Sequence, residues 1–336
     1  MKSLFHREVR SIAVVMTTAI VLLSSAAEVA AGMITFGVGA QQFQMEFVTI
    51  GNPGNLADTD INALPLSAGA VAYSYDIGKF EVSEDMITKF NASQSLQITK
   101  DARGANKPAT SVSWNEAARF VNWLNTSKGN PAAYKFTTGG VNDNIALWTS
   151  GDAGYDASNP YRNSLAKYFL PSYNEWYKAA YYNPNDSTYY DFANGSNTRP
   201  TAVTGGTAPD TAVYTRSGEA NPTGPADVTN AGGLSPYGVM GLGGNVFEWE
   251  ESSLDLANSS GSSPRGIRGG NWSNFSSYLS SSSRNLISSN EIDFHVGFRV
   301  ASLSSSPAAA VPEPGTLLLG TLLGLGGYLG KRRMKK

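Results

Sequence analysis

The chain contains no cysteine and only two histidines in 336 residues. Without a thiol there is no disulfide, no thiolate nucleophile and no soft sulfur ligand for a metal. His6 lies in the N-terminal segment, so His295 is the one imidazole of everything that follows. A zinc hydrolase draws on two or three imidazoles and a facial-triad iron centre on two, so one such chain assembles neither. A Ser-His-Asp relay would have to use His295, and there is no Gly-x-Ser-x-Gly turn to carry its serine. The phosphate-cradling Gly-x-x-x-x-Gly-Lys loop and a complete dinucleotide fingerprint are missing as well.

What the sequence does have is two terminal signals. Lys2, Arg7 and Arg10 precede an apolar run from Ile12 to Leu23, and small residues follow to Ala31, the pattern of a secretory signal peptide over 1–31. At the other end come Pro312-Glu313-Pro314, an almost uncharged run over 315–330, and a basic cluster over 331–336. As a helix the run spans about 24 Å, somewhat short of a bilayer core of about 30 Å. The basic cluster would stay on the cytoplasmic side. This tail resembles the PEP-CTERM sorting signal of Gram-negative bacteria. The resemblance implies recognition by an exosortase, cleavage near Pro312, Glu313 and Pro314, and delivery from the inner membrane to the cell surface or an extracellular matrix. A plain tail anchor is the alternative.

The remaining segment is acidic. Lys2, Arg7 and Arg10 against Glu8 and Glu28 give the first 31 residues +1 and the C-terminal cluster adds +5, so a chain of net −2 carries −8 between them. Such a surface disfavours nucleic acid as a partner and is compatible with cations.

Between the signals, short elements alternate with Gly-, Asn-, Ser- and Thr-rich text. Ser113-Trp-Asn-Glu116 and Ser172-Tyr-Asn-Glu175 each place a serine three residues before a glutamate, the sign of a capping box. The first predicts a helix with Ala117, Phe120, Val121 and Leu124 on its apolar face. The second predicts one running to Asn183-Pro184 with Trp176, Ala179 and Ala180 inward. A shorter helix is expected after Ser83. Strands are expected at Gln44–Ile50, Tyr73–Val82, Gly266–Gly270 and His295–Val300. Alternation of Ile292, Phe294, Val296 and Phe298 reads as a half-buried strand, with Asp293, His295 and Arg299 on its polar face and Asp293 holding the imidazole. The text over 185–233 reads as long surface loops pinned by tyrosines.

Seven blocks occur in a fixed order: Met45–Ile50, Tyr75–Ser83, Lys107–Trp114, Phe169–Trp176, Tyr237–Trp249, Arg268–Trp272 and Val296–Val300. In that order they resemble the formylglycine-generating enzyme, or sulfatase-modifying factor, family. The resemblance implies an α+β, loop-rich single domain over 32–302, related to C-type lectins and followed by a linker over 303–314. It also locates two departures. The copper-binding cysteines of the aerobic enzymes align with Asn274 and Leu279, neither of which supplies a thiolate. The family's calcium loop aligns Gly244 and Val246 as carbonyl donors and Glu248 as carboxylate donor, but puts Gly241 where a further side-chain ligand belongs. The expectation is therefore a non-catalytic domain that binds a surface or matrix component, with exopolysaccharide as the candidate ligand and calcium as the one candidate cofactor. A metal-dependent enzyme of the same family is the alternative, and a purely structural surface protein a third reading. Trp148, Tyr155, Tyr161, Tyr181, Tyr182, Tyr189 and Tyr190 are the candidate sugar-stacking rings.

Overall fold

The computed structural model describes residues 32–304. The signal peptide, the Pro312-Glu313-Pro314 motif and the C-terminal apolar run lie outside them. Among the described residues no helix is long and apolar enough to cross a membrane.

Among the described residues, a five-stranded sheet, a four-stranded sheet, two short strand pairs and three α-helices are set in long loops. The larger sheet runs β1 (Gly32–Phe36), β2 (Phe43–Ile50), β3 (Tyr75–Gly78), β13 (Ala301–Leu303) and β4 (Tyr168–Phe169), antiparallel throughout. On β2 the odd positions Phe43, Met45 and Phe47 are buried and the even ones more exposed, the period-2 signature of a strand with one wet face. The second sheet runs β11 (Asn285–Ile287), β10 (Arg265–Arg268), β9 (Phe247–Ser253) and β12 (Val296–Gly297).

The helices begin where the serines place them. Ser83 caps α1 (Glu84–Ser93), and Ser113 and Ser172 complete capping boxes on α2 (Trp114–Thr126) and α3 (Tyr173–Tyr181). Each box satisfies two amides that would otherwise be unpaired, worth about 1 kcal/mol per cap. Helix α2 buries Ala117, Phe120, Val121 and Leu124 as expected. Helix α3 stops two residues before Asn183, because Tyr182 and Asn183 turn extended as β5 and pair with β6 (Thr188–Tyr189). It is also buried on nearly every side rather than on one face.

Other expectations need revision. The strand drawn over Tyr73–Val82 is confined to β3, and the one over His295–Val300 to β12. Ile292 and Phe294 are exposed rather than half-buried, and Arg299 lies in the core rather than on a polar face. The loops of 185–233 also contain a parallel pair, β7 (Thr201–Val203) and β8 (Thr211–Val213), besides β6.

Candidate functional site

All seven residues of β9 are buried, although the strand reads Phe-Glu-Trp-Glu-Glu-Ser-Ser. Three carboxylates in a core demand partners, since an unpaired buried charge costs several kcal/mol. Each has a guanidinium. Glu248 accepts from Arg299 Nε at 2.6 Å and Nη2 at 2.5 Å, and from Trp176 Nε1 at 2.7 Å. Glu250 accepts from Arg268 Nε at 2.5 Å and Arg284 Nε at 2.8 Å. Glu251 accepts from Arg162 at 2.7 and 2.8 Å, from Tyr134 at 2.9 Å and from Asn159 at 2.7 Å. Arg162 also bridges to Glu175 of the second capping box, which ties α3 to β9. Burial alone would lower its pKa, but Glu175 and Glu251 hold it well above the ordinary guanidinium value.

This arrangement bears on calcium. Both oxygens of Glu248 already accept from Arg299 and Trp176, so a cation there would have to displace a guanidinium. The residues present do not fit the calcium loop as aligned from Gly244, Val246 and Glu248. Gly241, at the departing ligand position, has φ +80°, and a Cβ there would sit 2.4 Å from Glu81 Oε1. Glu81 therefore occupies the space that a side chain at 241 would enter. Its Oε1 accepts from Asn245 Nδ2 at 2.8 Å, whereas its Oε2 is buried without a partner. Burial, with Glu248 adding to it against the pull of Arg299, pushes the Glu81 carboxyl up to about 7.

A second cluster lies at the surface, on the loop after β10. Trp272 is buried, while Phe275 and Phe294 beside it are 65% and 53% exposed. The Arg103 guanidinium lies 4.8 Å from the Trp272 ring and 6.0 Å from that of Phe294. The His295 ring lies 4.7 Å from Trp272 and 3.8 Å from Phe294. Two open hollows meet at Asn221, one of about 540 Å³ lined by Phe275 and one of about 580 Å³ lined by Arg103 and Lys107.

Asp293 holds His295 as expected, with Nδ1 3.1 Å from its carboxylate, and the same oxygen accepts from the His295 amide at 2.7 Å. Sequence reading missed that Ser273 Oγ stands 3.3 Å from His295 Nε2. The three residue types of a hydrolase relay thus meet without the expected turn. The serine hydroxyl, however, is 2.8 Å from Asn271 Oδ1, which also accepts from the Ser273 amide, so its proton is engaged in a local Asx turn.

The positions aligned with the family's cysteines are filled differently. Asn274 Oδ1 accepts from the Asn271 amide at 3.1 Å, and Leu279 packs with Ala202, Ala212 and Tyr214. Of the candidate stacking rings, Tyr161, Tyr181 and Tyr182 are buried and are core residues instead. Tyr189 bonds to Asn55 and Leu56, and Tyr190 to Asn183, which anchors their loops. Trp148 and Tyr155 keep exposed area.

Fold and site together define a loop-rich α+β domain braced by internal Glu–Arg pairs, with an aromatic rim beside Asn274. The chain belongs to the sulfatase-modifying factor enzyme 1-like family, whose model matches residues 25–303. Among solved structures it is similar to Treponema denticola variable protein 1 at 21% identity, covering 81% of this chain and 99% of that one with a TM-score of 0.55. It is similar to CarF at 18% identity, 77% and 98% coverage and a TM-score of 0.55. PvdO from Pseudomonas aeruginosa matches at 17% identity, 81% and 98% coverage and a TM-score of 0.50. At these identities the likeness is one of fold. No curated protein matches the chain.

Proposed function

We propose that this domain is the binding module of an exported protein, sorted to the cell surface through its Pro312-Glu313-Pro314 tail, and that it does not carry out formylglycine chemistry. The observation that supports this is the state of the two aligned cysteine positions. Copper chemistry there needs soft ligands, whereas Asn274 is tied to its own turn and Leu279 is enclosed by apolar side chains. What the rim offers in exchange is exposed ring area on Phe275 and Phe294, an arginine, and two hollows lined by amides and hydroxyls. Apolar faces next to hydrogen-bonding groups suit a polymer of sugars, and exopolysaccharide is the ligand class proposed.

The test pairs two assays on the purified full chain. Incubation with copper and a cysteine-bearing peptide is expected to give no aldehyde, and retention on immobilised exopolysaccharide is expected to fall on Phe275→Ala. Aldehyde formation, or stoichiometric copper or iron in the protein as purified, would establish the enzyme instead. Retention unchanged by the substitution would remove the rim from the binding role. For the sorting tail, Glu313→Ala is expected to trap the protein in the inner-membrane fraction.

A further inference from the structure

A groove of about 410 Å³ lies along the outer side of α2, well within the size range of small-molecule sites. It is lined by Trp123, Phe136 and Trp148, with Arg119, Lys135 and Gln94 among them. None of these residues belongs to the rim or to the buried Glu–Arg frame.

Its chemistry narrows the ligand. Arg119 lies 3.8 Å from the Phe136 ring and donates to the carbonyls of Val141, Thr138 and Gly140. Phe136 is thereby covered, which leaves Trp123 and Trp148 as the rings a ligand can reach. Lys135 is paired with Asp152 at 2.7 Å, and Asp143 offsets Arg119 from nearby. The two cations are thus matched by two carboxylates, and no surplus positive charge is left to select an anion.

The indoles are prepared in different ways. Trp148 donates Nε1–H to Ala133 O at 2.9 Å, which fixes the ring, and Lys135 Nζ lies over one face at 5.6 Å from its centroid, so the ring has only its other face to offer a ligand. Trp123 is wedged by Phe43, Phe90 and Phe120 at ring distances of 5.4 to 6.1 Å. Trp114, Trp176 and Trp249 each donate to an oxygen, but Trp123 Nε1 has no acceptor among the described residues. Two rigid apolar faces, a free indole donor and compensated charge match a ligand with apolar C–H faces, hydroxyl acceptors and no net charge.

We infer that the Trp123–Trp148 groove is a second carbohydrate subsite for a neutral oligosaccharide segment, which stacks on the two indoles while one of its hydroxyl oxygens accepts a hydrogen bond from Trp123 Nε1–H. The inference rests on the polymer-binding reading above for its ligand class, but not on the rim.

The experiment titrates the full chain in detergent with cellotetraose, laminaritetraose and maltotetraose, and with polygalacturonate as the charged comparison, read by tryptophan fluorescence and calorimetry. At least one neutral tetrasaccharide is expected to bind saturably, with affinity unchanged between low and high salt. Trp148→Ala is expected to weaken that binding tenfold or more and Trp148→Phe less, with thermal midpoints within a few degrees of the parent. Phe275→Ala at the rim is expected to leave the Trp148-dependent part of that binding unchanged. Absence of saturable binding, binding that survives Trp148→Ala, or binding restricted to polygalacturonate and lost in salt would each overturn the groove. If Phe275→Ala abolishes tetrasaccharide binding while Trp148→Ala leaves it intact, the groove fails and the rim stands. The reverse result upholds the groove alone.

Discussion

Strand β9 and the rim loop after β10 handle polar groups in opposite ways. On β9 each carboxylate is matched across the fold: Glu248 by Arg299, Glu250 by Arg268 and Arg284, Glu251 by Arg162. On the rim, Asn271, Ser273, Asn274, Asp293 and His295 each find a partner two or three residues away, with Ser273 Oγ to His295 Nε2 the longer-range contact, and large rings are left in water. The long-range pairs cannot be altered singly, since losing one partner strands the other charge in the core. The local turns tolerate exchange at the positions between them. The first region therefore fixes the fold, and the second is the one proposed to meet the ligand.

The sharpest way to break that contrast is at the buried pair. Arg299→Ala is expected to cost about 3–5 kcal/mol by leaving Glu248 uncompensated, seen as a fall of roughly 10 °C in the thermal midpoint. Exchange of both residues for apolar ones of similar volume should recover most of that loss. A midpoint near the parental value for the single variant would refute the account of the frame.

Acidity sharpens it next. The folded pKa of Glu81, about 7, lies above its ordinary value of 4.5. The fold therefore favours the protonated carboxyl, and this contribution is fully present below pH 4.5 and is lost as pH rises through 7. The loss amounts to about 3 kcal/mol at most. Urea midpoints should be lower at pH 8 than at pH 5, and Glu81→Gln should flatten the difference. An unchanged slope in that variant would assign the effect elsewhere.

The caps come third. Ser113→Ala and Ser172→Ala are expected to cost about 1 kcal/mol each. The larger loss should fall at Ser172, because its box positions Glu175, which also holds Arg162 and Tyr73. Equal losses would show that the cap and the ionic frame act independently. Smallest of all should be Phe275→Ala, within about 0.5 kcal/mol, measured by the same urea titration. A loss of 2 kcal/mol or more would make the rim part of the frame and end the contrast.

The parts of this fold written in neighbouring residues were legible. Ser113 with Glu116 and Ser172 with Glu175 announced two helices, and the strand expected over Gln44–Ile50 is β2, because capping and strand propensity are local. Asp293 beside His295 was readable for the same reason. The family resemblance aligned Asn274 and Leu279 with the missing cysteines. What was not legible depended on distant partners. Glu248, Glu250 and Glu251 look like a solvated acidic run until arginines from four separate segments are brought to them. Phe294 fits an alternating strand by pattern, but the chain there turns to pack His295 between rings. Tyr161, Tyr181 and Tyr182 sit in polar text, and only tertiary packing reveals that they are core. One signal was available and unused: three glutamates in seven residues flanked by buried aromatics is a composition that a surface strand rarely needs.

The contact between Glu81 and Gly241 has an evolutionary consequence. Far apart in the chain, the two residues share one small volume, so a mutation that gives position 241 a side chain must first find a lineage in which position 81 has already shortened. Drift at 241 is conditional on 81 and not the reverse, so the order in which the two changes occur is set by space.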